Sequence, residues 1–384
     1  MENRIPLFKI YWDEDDLKLV NETIRRGAYW TIGSNTTTFE EMISKYFGAK
    51  YCLTLNSGTS ALHCVLLAYG LGPGDEVIVP SFTFIATANA ALFVGAKPVF
   101  ADIELQTYAL DPDDVLRKIT PRTKAIIPVH YAGSPCLVKE LKQIADEHGL
   151  LLIEDAAEAF GASIGKQKVG TFGSSSILSF CQNKIIATGE GGAIITDSKD
   201  IYEKIKLIRS QGRLETADYF TSSEYMDYVT LGYNFRLSDI SAALGIAQMK
   251  KVDKIIEMRR RNAAYWDKKL ASVRQLIVPQ NPEDYFNVYQ MYRVFVKSGQ
   301  PTRDKLVTFL GTKGITVKVN FYPVHLTKLY RERFGHHRGE LPKTETASEQ
   351  VITLPMYPSL SEDQIDYIVA QIVDFFNLHN DQAT

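Results

Sequence analysis

Lys184 stands in the stretch SFCQNKIIATGEGG, Ser179 to Gly192, after an apolar strand-like run and before a turn built from Gly189, Glu190, Gly191 and Gly192. Most lysines are solvated surface charges. One held between a strand and a glycine turn is a positioned amine, and a positioned amine condenses reversibly with a carbonyl. Upstream, GLLLIEDAAEAFGA reads as a short apolar strand that delivers Asp155 at its carboxyl end, where ligands collect in open parallel sheets. An acid and an amine are therefore expected to share one cleft. A third feature is SGTSALHCVLLAYGLG, which reads as a helix entered through Ser57, Gly58, Thr59 and Ser60, with Ala61, Leu62, Val65, Leu66 and Tyr69 at helical spacing. Its first-turn N–H groups and dipole favour negative charge such as a phosphate; a plain N-cap is the other reading of the same residues.

Taken together, an amine, a strand-end acid and a phosphate-binding helix start match the needs of pyridoxal phosphate. Its aldehyde condenses with a lysine, its ring nitrogen needs an acidic partner to stay protonated, and its phosphate needs donors. Competing chemistries fit less well, because there is no GxGxxG after the first strand, no Walker lysine motif and no HExxH helix. Cys52, Cys64, Cys136 and Cys181 fall in no CxxC or other metal-like spacing, so no metal is expected.

The elements that must position these groups are legible as rhythm. From about residue 50 to 200 the apolar runs DEVIVP, KPVFAD, KAIIPVHYAG, LLLIEDAA and GGAIITD alternate with helix-like stretches, the βαβ pattern of an α/β protein with a mostly parallel sheet. After GYNFRLSD, apolar residues at Ile240, Leu244, Ala247, Val252, Ile255 and Ile256 predict one long amphipathic helix from Ser238 to about Val273. The domain change is placed inside it, giving a large cofactor-binding domain, 1–245, and a smaller α+β domain, 246–384. In the latter, YQMYRVFVKS and GITVKVNFYPVH are strand candidates and DQIDYIVAQIVDFF a closing helix.

The 384 residues exceed one ordinary core, and a prior of about 100 to 200 residues per domain gives two. A hydrophobic fraction of 45% with 23% charged residues is that of a soluble globular protein. A net charge of −2 gives no general attraction for nucleic acid or anionic membrane. The start MENRIPLFKI has no apolar signal core, and no apolar run approaches the roughly 20 residues of a spanning helix, so a cytoplasmic protein is expected.

The ordered blocks NSGTSAL, GDEVIVPSFTFIATANAALFVGAKPVFADI, EDAAEAFGA, SFCQNKIIATGEGG, GYNFRLSDISAALG and LPMYPSLSEDQ resemble the DegT/DnrJ-type nucleotide-sugar aminotransferases over nearly the whole chain. The resemblance implies the aspartate-aminotransferase fold (fold type I) and a homodimer with active sites at the subunit interface. It implies that Lys184 holds the cofactor covalently and moves protons, and that Asp155 pairs with the ring nitrogen. It also implies that Phe84 stacks on the ring and that Thr59, Ser60 and Ser179 contact the phosphate, with Asn234 reaching that phosphate from the partner subunit. Taken singly, Phe84 reads equally as a core residue and Gly232 to Asn234 as a turn before a helix.

Glu158 stands where many members carry glutamine and would lie beside the phenolic oxygen of the cofactor, so a shared proton is expected between them. On the sugar side the matching segments are Trp30, Thr31 and Gly33, and Asn320, Tyr322 and His325 of NFYPVH. His325 reads either as substrate-facing or as a hydrogen-bonded structural residue. Lys328, Arg331, Arg333 and Arg338 could attract a nucleotide diphosphate or form a solvated face. DAAEA followed by NK before TGEGG is closer to perosamine synthase-like C4 aminotransferases than to the C3 branch. The expected reaction carries the amino group of L-glutamate to a nucleotide-linked 4-keto-6-deoxy sugar. The rivals are a C3 keto-sugar or keto-cyclitol aminotransferase, a sugar 3-dehydratase (disfavoured by the lysine at 184) and a non-catalytic pyridoxal-binding regulator.

Overall fold

The computed structural model describes residues 4–216 and 219–380. Seven strands form the main sheet: β1 Tyr51–Leu55, β2 Glu76–Pro80, β3 Lys97–Ala101, β4 Thr123–Ile126, β5 Leu151–Asp155, β6 Ser175–Ser179 and β7 Gly192–Thr196. Their spatial order is β1-β7-β6-β5-β4-β2-β3. β7 runs antiparallel to both neighbours, β1 and β6, while the remaining pairs are parallel. The reversal follows from the link between β6 and β7. The segment 180–191 contains no crossover helix, and a parallel return needs one. β2 and β7 are buried along their full length, as expected where helices cover both faces of a sheet.

The helix Gly58–Ala68 begins where the sequence predicts it, with Ser57 as N-cap accepting a hydrogen bond from the Ser60 N–H. The predicted single helix after Ser238 is two helices, Asp239–Met249 and Val252–Leu270. The break falls at Lys251, whose backbone leaves helical geometry at φ −121°. Its nearly buried ammonium is bonded to Asp13 and Asp16 at the start of the first helix, Glu14–Arg25. Of the apolar positions read as one face, Ala247, Val252, Ile255 and Ile256 are buried, whereas Ile240 and Leu244 in the first helix are only half-buried. Ser238 caps the first of them through the Ser241 N–H.

Toward the C-terminus, the strands Leu276–Ile277, Tyr292–Val296 and Val351–Leu354 pair antiparallel into a second sheet. Its core includes Trp266, Val294, Leu306, Ile352, Ile368 and Phe375, and Ile5 joins it through a parallel bridge to Ile315. GITVKVNFYPVH is not a strand: it makes only isolated bridges, at Ile315 and at Lys318 opposite Thr353. Pro323 supplies no N–H for a ladder, and the segment instead runs along the cleft wall.

One packing contact sets a stability test. The helices Ser34–Phe47 and Asp239–Met249 meet at Gly245, where an added Cβ would lie 2.5 to 2.8 Å from ring atoms of the fully buried Phe39. Gly245→Ala is therefore expected to destabilise by about 1–3 kcal/mol through overpacking, despite alanine's better helix propensity. Urea unfolding of the two proteins would check it, and a variant as stable as the parent would refute the close approach.

Candidate active site

The carboxyl ends of β5 and β6, the start of the helix Gly58–Ala68 and the loop 180–191 surround a cleft of about 420 Å³. Thr59, Phe84, Asp155, Glu158, Ser179, Lys184 and Asn320 line it, which brings together seven of the residues expected from the sequence. Strand polarity explains the meeting point, since parallel neighbours end on one edge and leave a crevice there.

Asp155 is nearly buried at the cleft floor. One carboxylate oxygen accepts from Thr87 Oγ1 at 2.9 Å and the other from the Ala157 N–H at 3.1 Å. Burial pushes its pKa above the usual carboxylate range, against the opposing pull of these two donors and Lys184. A raised carboxyl facing a cleft suits a cationic partner there. Lys184 Nζ lies 3.5 Å from Glu158 Oε1, and Glu158 Oε2 accepts from the Ala132 N–H at 2.9 Å. Ala132 takes φ 58°, a left-handed value rare outside glycine, and this is the conformation in which its N–H meets Glu158. The lysine loop is closed by backbone bonds from Phe180 N–H to Gly191 O, 2.8 Å, and from Thr188 N–H to Phe180 O, 2.9 Å.

At the other end of the cleft, Gly58 and Thr59 carry first-turn N–H groups that helix geometry leaves without intrahelical acceptors. The Ser60 N–H is already bonded to Ser57 Oγ, and the two hydroxyls are 2.9 Å apart. Ser60 thus belongs to the cap, beside the cleft. Absence of a side chain at Gly58 and Gly192 permits this close approach: a Cβ on Gly58 would lie 3.1 Å from Ser179 Cβ, and one on Gly192 2.5 Å from the Ser57 carbonyl carbon. Beneath the floor, fully buried Glu154 accepts from His130 Nε2 at 3.0 Å and from the N–H groups of Gly170, Phe172 and Gly173. The Cys136 N–H donates to His130 Nδ1, so the ring is a neutral Nε2–H donor.

The other expected positions lie outside the cleft. His325 is fully buried, with Nδ1 2.7 Å from Ser81 Oγ and Nε2 3.3 Å from Glu345 Oε1. It lies outside the cleft and ties its loop to Ser81 and Glu345, the arrangement of the structural alternative. Burial lowers its pKa, consistent with a structural ring. Tyr322 is 64% exposed and lines a separate groove with Arg338. Trp30, Thr31 and Gly33 sit at the start of the helix Asp239–Met249, where Trp30 O accepts from the Asp239 N–H at 2.8 Å. A Cβ on Gly33 would meet the Asp239 carboxylate at 2.7 Å. Asn234 lies beside Asn56, outside this chain's cleft. Lys328, Arg331, Arg333 and Arg338 do not line the cleft. Lys328 approaches Glu332, and Arg338 is bonded to Glu349.

Sequence reasoning missed Thr87, Asn183, Lys318 and Phe321, all cleft-lining. Thr87 had a signal, lying three residues after Phe84 in FTFIAT at a helix start. Lys318 had none.

The donor set thus fits pyridoxal phosphate: the first-turn N–H groups of Gly58 and Thr59, beside the Ser57 cap, for the phosphate, a raised buried carboxyl for the ring nitrogen, and an amine between them. Phe84, 60% exposed on the cleft wall, leaves a free ring face. Sheet order, the single reversed strand and this site define a fold type I pyridoxal enzyme. The profile of the DegT/DnrJ/EryC1/StrS aminotransferase family matches residues 11–373, and the chain belongs to that family. A GDP-perosamine synthase of Escherichia coli O157:H7 is 35% identical over 373 residues, 97% of this chain and 99% of that one. PseC of Helicobacter pylori, an aminotransferase involved in the biosynthesis of pseudaminic acid, superposes with a TM-score of 0.92 at 28% identity, covering 98% and 100% of the two chains. The PMP form of the sugar aminotransferase Spr1654 of Streptococcus pneumoniae gives 0.92 at 27% identity, with the same coverage. The protein is accordingly a pyridoxal-phosphate-dependent aminotransferase. Among the described residues no helix is long and apolar enough to cross a membrane.

Proposed function

We propose that the chain moves the amino group of L-glutamate to C4 of a nucleotide-linked 4-keto-6-deoxy sugar, giving a 4-amino-4,6-dideoxy sugar nucleotide. The full-length similarity to a GDP-perosamine synthase supports the substrate class. The observation that carries the chemistry is the placement of Lys184 Nζ inside the cleft, 3.5 Å from Glu158 and facing the same space as Asp155. Pyridoxal phosphate, when bound, supplies the carbonyl that takes up the amino group and the ring that spreads carbanion charge.

The residues divide the remaining work. Lys184 holds the cofactor and, once released by an incoming amine, takes the proton from the substrate carbon and returns it. Asp155 keeps a positive charge at the ring nitrogen, and Thr87 and the Ala157 N–H hold that carboxylate in place. The turn at Gly58 and Thr59 would bind the phosphate, and Phe84 on the cleft wall would cover one ring face. Glu158, 3.5 Å from Lys184 Nζ, would pair with that group in its ammonium form, and would stand beside the phenolic oxygen of a bound cofactor.

Glu158→Gln is expected to move the pH titration of the visible cofactor absorbance, because only the glutamate can share a proton with that oxygen. Superimposable curves for the two proteins would defeat this role.

The same reading makes the active unit a homodimer with shared sites. Asn234 would serve the partner's phosphate, and the preceding segment exposes Tyr225 at 83% and Leu231 at 78%, apolar surface suited to burial against a second copy. Amination of GDP-, UDP- and dTDP-linked keto sugars with L-glutamate, read by mass and by the carbon bearing the new amine, tests the whole proposal. An amine at C3, or conversion of keto-cyclitols alone, would overturn it.

A further inference from the structure

A side pocket of about 80 Å³ opens off the cleft and shares Asn183, Lys318 and Asn320 with it. Three of its lining residues carry buried polar atoms without a hydrogen-bond partner: Gln290 Oε1, Asn320 Oδ1 and Thr353 Oγ1. These residues are only 4%, 7% and 2% exposed. Burying polar atoms unpaired is costly, and three of them around one small space mark a place that takes up polar atoms from outside the chain. At the rim stands Lys318. Two cations line the cleft; Lys184 has Glu158 beside it, whereas among the described residues Lys318 has no carboxylate within ion-pairing distance.

We propose that Lys318, backed by this pocket, anchors an anionic group of the substrates, and that the group is the carboxylate of the amino donor adjacent to its reacting carbon. The assignment rests on the aminotransferase reading above and adds a residue to it. Position favours a carboxylate over a diphosphate. The pocket includes Asn183, next in sequence to the reacting lysine, so an anion held there lies beside the chemistry. An amino acid carries its carboxylate one bond from the carbon that exchanges the amine. A sugar nucleotide carries its diphosphate across the ring from C4. The hydrogen bonds also close: Lys318 and the Thr353 hydroxyl donate to the carboxylate. The two amide oxygens, unpaired in the protein itself, accept from a water that bridges them to the bound group.

The test uses the cofactor-loaded enzyme, with Lys318→Met, which keeps the apolar stem, and Lys318→Arg, which keeps the charge. The half-reaction with L-glutamate is followed by the visible cofactor absorbance, and binding of GDP, UDP and dTDP by calorimetry. The expected result for Lys318→Met is a rise of about tenfold or more in half-saturating glutamate that exceeds any fall in limiting rate. Arginine should recover most of the loss, and nucleotide binding should not move. Weaker nucleotide binding with unchanged glutamate saturation would overturn the carboxylate assignment in favour of the diphosphate. No change in either would overturn the anchor altogether. Wild-type enzyme that binds glutamate in a Lys318-dependent way without turning it over would sink the proposed reaction and leave the anchor standing. Normal turnover without Lys318 dependence would sink the anchor alone.

Discussion

Lys184→Ala is expected to lower turnover by about 10⁴-fold or more and to end covalent retention of the cofactor. The magnitude follows from two roles lost together. A positioned general base contributes roughly 10²- to 10⁴-fold, and the covalent link that presets the cofactor for exchange disappears with the same amine. Stability should change little, because the main partner left behind, Glu158, keeps its bond from the Ala132 N–H at 2.9 Å. Borohydride reduction followed by peptide mass analysis should place the cofactor on Lys184 in the parent and on no residue in the variant. Turnover within tenfold of the parent, or an adduct on another lysine, would remove the basis of the mechanism.

Asp155→Asn should separate stability from function, and the sign depends on whether cofactor is bound. Burial raises the Asp155 pKa above its unfolded value of about 3.9. Such a group adds stability below the unfolded pKa, and the addition is lost as pH rises through the folded pKa. In cofactor-free protein near pH 8 the aspartate is therefore a burden, and asparagine should leave the melting temperature equal or higher. The difference should shrink toward pH 4. The amide can still accept from the Ala157 N–H, and the Thr87 hydroxyl can turn to accept from the new NH₂ group. With cofactor bound the order reverses, since only a carboxylate pairs with a protonated ring nitrogen. The variant should lose cofactor affinity and about 10³-fold or more in turnover. Melts of both proteins at two pH values, with and without cofactor, check the reversal. A variant less stable than the parent without cofactor at pH 8 would contradict the account of Asp155.

The chemistry was more legible in the sequence than the walls around it. Asp155 and Lys184 could be placed because strand ends and glycine turns are local signals, and the structure brings both to one cleft. The reversal of β7 was hidden in the run GGAIITD, since a fully buried strand reads the same in either direction. The choice between the two readings of His325 was closed to the sequence because its partners, Ser81 and Glu345, are distant along the chain and a lone histidine carries no mark of burial. Lys318 left no trace for the converse reason: its isolation from carboxylates emerges only when the chain folds. The long helix after Ser238 failed at Lys251 because an ion pair to Asp13 and Asp16, not periodicity, decides the break.

The acid, the amine and the turn at Gly58 all hang from the seven-stranded sheet, whereas the wall bearing Lys318 and Asn320 is stitched to the sheet of Tyr292–Val296 and Val351–Leu354 by the bridge from Lys318 to Thr353. On the roles proposed for Lys184, Asp155 and Lys318, reactivity and selectivity are thus mounted on separate scaffolds. On that proposal, exchanging residues 315–325 between relatives changes the amino donor and leaves the reactive machinery intact.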